Sequence, residues 1–222
     1  MRKQQFKQKL DLKKASEGIK TANKNAKSLL DDAVLLYDNN RFARATALAI
    51  LSIEESGKPS ILRSILLEDD LKEINNLWKS YRKHTDKNNM WIAPELILNG
   101  GTTIHDLEKI VDKNSDHPQT LDNLKQLCFY SDAFTNCKWS NPDNLLEKED
   151  AKRFIDIANF SLNKDELFTD ELSLSLWQKH LKPSWKTNLI SMKKSLIECY
   201  NECEKLQLIS SGKTQEMINF LK

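Results

Sequence analysis

Between Ala43 and Ile53 nearly every position is apolar, with Arg44 and Thr46 the main interruptions. A helix with no polar face has to be enclosed by other helices. The pattern therefore predicts a central helix in which Ala47, Leu48, Ile50, Leu51 and Ile53 are nearly fully buried. The helix runs on into Glu54 and Glu55. A 3.6-residue period sets Glu54 on the stripe of Ala47, Ile50 and Leu51, and Glu55 above Leu48 and Leu51. Carboxylates at core-facing positions need partners, because desolvating an unpaired charge costs several kcal/mol. Lys58, four residues after Glu54 in the favourable order, is one candidate. A solvated helix end, stopped by Gly57 and Pro59, is the plainer alternative.

The remaining periodicity predicts further helices. Residues 3 to 20 read as a basic helix with a thin stripe of Phe6, Leu10 and Ile19. A second runs from about Ala26 to Tyr37 and closes at Asn39-Asn40, residues that tolerate a left-handed turn, so it forms an antiparallel hairpin with the central helix. A short helix from Pro59 carries Ile61, Leu62, Ile65 and Leu66, and Asp69-Asp70 can cap a longer one over 70 to 90. On that helix the stripe of Leu71, Ile74, Leu77 or Trp78, and Tyr81 leads on to His84 and then to Lys87 or Asn88. Residues 88 to 120 read as a connector with a helical turn near 104 to 112. Helices then follow near 121 to 133, 145 to 162, 166 to 181, 184 to 208 and 214 to 221. The class is all-α: one domain over 1 to 222, with a core at about 20 to 137 and added helices in 138 to 222.

Composition agrees with this class, since five glycines and five prolines among 222 residues suit helices joined by short loops. No run approaches the roughly 18 apolar residues that a membrane span requires. We expect no membrane association and a cytoplasmic location. Cys128, Cys137, Cys199 and Cys203 contain no CxxC pair and read as reduced thiols, with Cys199 and Cys203 as apolar fillers. A zinc site from Cys128, Cys137, His105 and His117 is a minor alternative, and no metal or cofactor is expected. The net charge of +2 hides an uneven distribution, with nine Lys or Arg against Asp11 and Glu17 in residues 1 to 27. Such patches attract phosphate backbones, although solvated helix faces account for them equally well.

No glycine-rich phosphate loop, HExxH or GxSxG motif occurs. What stands out is Glu54, Glu55, Lys58, Lys79, Arg82, Lys83, His84 and Lys87. A histidine can relay a proton, and neighbouring cations can hold a phosphate and stabilise the charge that grows during transesterification. This set suffices for metal-independent RNA cleavage. His84 would transfer the proton, Lys79 or Arg82 would hold the scissile phosphate, and Glu54 would orient the cationic side. Lys58, Lys83 and Lys87 would bind RNA phosphates, with Glu55 in support. A carboxylate-bridged metal enzyme built on Glu54, Glu55 and His84 is a third reading, without the Glu-x-x-His repeat that such helical sites show.

The stretches LLDDAVLLYDNNRFARATALAILSIEESGK (29 to 58), WKSYRKHTDK (78 to 87) and LKQLCFYSD (124 to 132), in this order, resemble the AbiV family of bacterial abortive-infection proteins. Glu54, Glu55, Gly57 and Lys58 match that family's EE-x-GK element. AbiV proteins are placed among HEPN domains. The resemblance implies an antiparallel helical bundle, a homodimer with a composite site, and an effector that stops host translation on phage infection. RNA would be its substrate and a phage-encoded protein its activator. Many HEPN proteins are ribonucleases marked by an arginine, four to six residues, then a histidine. Here the histidine falls on His84, and a lysine, Lys79, stands at the arginine's place. Trp78 and Tyr81 would sit in the dimer interface. The competing reading is a catalytically inert effector that blocks translation by binding RNA, the ribosome or another protein.

Overall fold

A computed structural model of the chain describes residues 5–110, 112, 114–162 and 167–222. Its α-helices are α1 (Leu12–Asp38), α2 (Phe42–Leu67), α3 (Leu71–Arg82), α4 (Ala93–Leu98), α5 (His117–Phe129), α6 (Lys148–Ser161), α7 (Glu171–Leu181), α8 (Leu189–Lys205) and α9 (Lys213–Phe220). The fold is all-α apart from a two-stranded hairpin, β1 (Ala133–Phe134) with β2 (Lys138–Trp139). Neither the hairpin nor α4 is signalled by the periodicity.

The helix α1 is longer than expected. The side chain of Asp11 accepts from the Lys14 amide and starts it, and a stripe of Ala15, Ile19, Ala22, Ala26, Leu30 and Ala33 carries it unbroken through the region expected to separate two helices. These small residues lie at three- and four-residue spacing, so α2 approaches closely along the whole length. Asn40 makes the reversal at φ 57°, the left-handed turn the sequence led us to expect.

The helix α2 packs against α1, α3, α5, α6 and α7, which confirms its central place. Ala47, Ile50 and Ile53 are at most 1% exposed, whereas Leu48 and Leu51 are only half-buried. Their difference comes from α2 serving two cores in succession. Its first half joins Leu30 and Ala33 of α1, Leu121 of α5 and Ile155, Ile157 and Ala158 of α6. The second half, with Ile61, Leu62, Ile65 and Leu66, joins Ile19 of α1, Ile74 and Trp78 of α3, Leu174 of α7 and Cys199 and Cys203 of α8. Helices beyond residue 138 thus share both cores.

Gly57 and Pro59 do not end α2, which continues to Leu67 with Pro59 inside it. The second core rewards continuation: each Leu or Ile buried on that half adds roughly 2 kcal/mol, against about 3 kcal/mol lost at an interior proline. The α2–α3 corner is closed by Glu68. Its Oε1 accepts from the Asp69 and Asp70 amides at 3.1 Å, and its Oε2 accepts from Trp185 Nε1 at 3.2 Å and Lys186 Nζ at 2.7 Å.

Burial alone would push the Glu68 carboxyl up, but the Lys186 ammonium and the other donors outweigh it and hold it at about 2. A carboxyl depressed on folding contributes stability above its unfolded value near 4.5, and this contribution is lost as the pH falls towards 2. With Lys186 half exposed, we expect about 1–3 kcal/mol to disappear over that window. Thermal melts at stepped pH should show Glu68→Gln less stable than the parent at pH 6 and closing the gap by pH 2. A gap that stays constant with pH would remove the assignment.

Candidate functional site

Glu54 lies where the two cores of α2 meet, and it is 2% exposed. A carboxylate there would be costly alone, and three groups come to it. Lys125 of α5, equally buried, donates from Nζ to Glu54 Oε1 at 2.6 Å and to Asp122 Oδ1 at 2.6 Å. The Nδ1 of His84 is 2.6 Å from Glu54 Oε2, and the Lys87 ammonium is 3.9 Å from the same oxygen. Burial lowers the pKa of Lys87, with attraction to Glu54 opposing that shift and Lys58 adding to it.

The turn that brings His84 and Lys87 is not helical. The helix α3 starts at its Asp70 cap and stops at Arg82, and Lys83 is extended at φ −81°, ψ 129°. The expectation of one helix over 70 to 90 is therefore corrected. What draws the chain off the helix is the contact at Gly57, where a Cβ would stand 1.9 Å from the Lys87 carbonyl oxygen. Only glycine lets that backbone lie directly on α2. Past the turn, fully buried Asn88 donates to the Pro118 carbonyl at 3.1 Å, and Trp91 Nε1 donates to the His117 carbonyl at 3.0 Å. His117 returns the bond, its Nε2 lying 3.1 Å from the Asn89 carbonyl. These contacts fasten residues 88 to 91 to the start of α5, the helix that carries Lys125.

Half of the His84 side chain, 53%, remains exposed. A carboxylate at this distance favours the tautomer in which Nδ1 donates to Glu54. The site thus presents one imidazole, oriented from below by a buried carboxylate that a buried ammonium holds in turn.

Other expected members lie elsewhere. Arg82 donates to the Trp78 carbonyl at 2.7 Å and the Phe6 carbonyl at 2.6 Å, and its guanidinium sits 5.3 Å from the Trp78 ring centre. It ties residues 5 to 11 to α3 and does not face His84. Lys79 and Lys83 line a groove on the outer face of α3, with Lys83 paired to Asp86 at 2.7 Å. Glu55 pairs with Lys58, whose ammonium is 5.0 Å from the Tyr81 ring centre. That pair adjoins Lys87 without touching Glu54. Trp78 is 6% exposed, covered by Phe6 in an edge contact and donating to the Gln8 carbonyl, so its indole is used within the chain.

Lys125 and Asp122 escaped the sequence reading, although Lys125 falls between Leu121 and Cys128 on the buried stripe of α5. A lysine at a core position needs a carboxylate just as Glu54 needs a cation. Glu54, His84 and Asp122 place one ligand atom each within 4.8 Å of one another. The Lys125 ammonium, 2.6 Å from both carboxylates, already supplies the cation there. The alternative zinc ligands are not gathered: Cys128 is buried, Cys137 exposed, His105 beside Glu108 and His117 beside Ser115.

Replacing a helical glycine by alanine ordinarily stabilises a helix by up to about 1 kcal/mol. At Gly57 we expect the opposite sign, a loss of about 1–3 kcal/mol from overpacking. Gly18→Ala, where the new methyl meets only the Leu62 side chain at 3.1 Å, serves as the tolerated control. Hydrogen exchange should quicken across 84 to 92 in Gly57→Ala alone. Equal stability in the two variants would refute the close approach.

No curated protein and no solved structure matches this chain. A family model does: HEPN_AbiV, described as AbiV, matches residues 14–163. That stretch covers 150 of 222 residues and includes Glu54, Gly57, His84, Lys87, Asp122 and Lys125. The chain belongs to the AbiV family of HEPN domains.

Proposed function

We propose that this protein is an abortive-infection effector that cleaves RNA without a metal ion, through His84. Family membership supports the abortive-infection role. The observation that carries the chemistry is the 2.6 Å contact between His84 Nδ1 and the buried Glu54 carboxylate, with the imidazole half exposed.

With Nδ1 as donor to Glu54, Nε2 can take the proton of a ribose 2′-hydroxyl. The 2′-oxygen then attacks the adjacent phosphorus, the bond to the 5′-oxygen breaks, and a 2′,3′-cyclic phosphate and a 5′-hydroxyl result. The departing oxygen needs a proton. A second copy of the chain, paired by two-fold symmetry so that two His84 rings face one phosphodiester, would supply base and acid together. Lys87 adds positive charge beside the Glu54 carboxylate. Lys125 and Asp122 position Glu54, and Arg82 holds the N-terminal segment. A phage-encoded protein is the activator this reading calls for, and arrest of translation is its outcome in the cell.

The His84→Ala variant should keep its melting temperature, lose growth arrest and lose RNA cleavage by about 100- to 10,000-fold. EDTA should leave the parent's activity unchanged. Lys125→Met should do more harm to folding, because breaking a buried pair typically costs about 3–5 kcal/mol. RNA-end sequencing from expressing cells, with and without phage, would find the cleavage sites. Full toxicity in His84→Ala would end the nuclease reading and leave an inert effector that acts by binding RNA, the ribosome or another protein.

A further inference from the structure

The groove on the outer face of α3 is basic. It is lined by Gln5, Lys7, Leu71, Lys72, Asn75, Asn76, Lys79, Arg82 and Lys83, and no acid is among them. Lys72, Asn76 and Lys79 repeat at three- and four-residue spacing, so they form one row along α3, with Lys83 just past its end. Lys7 faces the row from the segment that Arg82 and Trp78 hold in place by their hydrogen bonds to the Phe6 and Gln8 carbonyls.

The pairing pattern matters more than the count. Lys9, Lys14, Lys27, Lys152, Lys179, Lys182 and Lys186 each have a carboxylate partner. Lys7, Lys72 and Lys79 have none among the described residues, although Glu73 sits one residue from Lys72. Its Oε2 pairs with Lys186, and its Oε1 accepts from the Asn76 side-chain amide at 3.2 Å. Three unpaired ammonium groups around one concavity repel one another and are stabilised by a polyanion.

We propose that this groove binds the phosphate backbone of single-stranded RNA and leads it to His84, the residue after Lys83. From Lys72 to Arg82 the helix advances about 15 Å, enough to hold several phosphates in a row. The lining offers ammonium groups and side-chain amides but no exposed aromatic ring, so it grips the backbone without reading bases. An acidic protein is the less suitable occupant, since Leu71 is the one large apolar side chain in the lining and gives a protein anchor little to be desolvated against. The inference deepens the nuclease reading and rests on it for the direction of the strand. It also gives Lys79 a different place: a strand-holding residue, not the group that clasps the scissile phosphate.

The test is fluorescence anisotropy with a twelve-residue 2′-O-methyl oligouridylate, which the proposed chemistry cannot cleave, titrated at several salt concentrations. The combined variant Lys7→Ala/Lys72→Ala/Lys79→Ala should keep its melting temperature and lower the slope of log K against log salt by about 2, given about 0.7 per phosphate contact on a single strand. Lys72→Glu/Lys79→Glu should weaken binding at least about tenfold. His84→Ala should bind like the parent. A polyglutamate peptide of equal charge should compete poorly. An unchanged slope in the combined variant overturns the groove even if His84→Ala abolishes cleavage. Normal cleavage by His84→Ala overturns the nuclease reading even if the slope falls. Equal competition by polyglutamate makes the groove a site for acidic protein and also overturns the inference.

Discussion

Everything near the site follows from one constraint, a carboxylate placed in the middle of the most apolar helix. At 2% exposure the Glu54 charge would cost several kcal/mol without partners. The chain therefore has to deliver cations or donors from other elements, and the two that arrive at hydrogen-bond distance come from 30 and 71 residues away. Lys125 comes on the rigid surface of α5. His84 comes on a turn, and a turn is held only as well as its backbone contacts hold it. This explains the density of backbone-directed bonds from Asn88 to His117, and why Gly57 lies beneath Lys87. A side chain at position 57 would have to push the Lys87 carbonyl out from 1.9 Å to ordinary contact distance, displacing the turn.

The order of charges in this network matters for chemistry. Asp122 and Glu54 share the Lys125 ammonium, so the Glu54 carboxylate is fixed on one side before His84 meets it on the other. An imidazole so held has one rotamer and one tautomer favoured, with its second nitrogen outward. The same preference could not be produced by a solvent-exposed glutamate, whose side chain would pay rotamer entropy to hold the ring and gain little in high dielectric. The burial of Glu54 is thus both the cost and the reason for the arrangement.

Several parts of this were legible in the chain and several were not, for identifiable reasons. The central helix was legible because eleven consecutive positions lack a polar face, and Glu54's need for a partner because it sits on a stripe that begins as core, whereas His84 reaches it on a turn and not on the helical stripe expected of it. Leu48 and Leu51 fell short of full burial because α2 passes from one core to the next, a fact of tertiary packing. Gly57 was read as a stop signal, but glycine also marks close backbone approach, and nothing local separates the two meanings. The end of α3 carries no glycine or proline. It is imposed by the Lys87 contact with α2, so a helical phase extended through Lys83 placed Lys79 and Arg82 on the wrong side. Lys125 could have been found by the argument applied to Glu54, since a charge on an apolar stripe asks for its opposite on another.

The basic residues sort themselves by what they already touch. Lys125 and Lys87 are buried and committed to Glu54, so their charge is consumed in holding the site. Arg82 gives its planar fork to two backbone carbonyls and its face to Trp78, a use that suits arginine better than a point-charged lysine. Lys7, Lys72 and Lys79 have no carboxylate partner among the described residues. In a protein with 34 basic and 32 acidic residues, three lysines around one groove without a carboxylate partner among the described residues leave positive charge uncompensated on that face. Electrostatic free energy not used in folding is available for binding, and here it is concentrated on the outer face of α3, the helix whose end leads into the turn that carries His84.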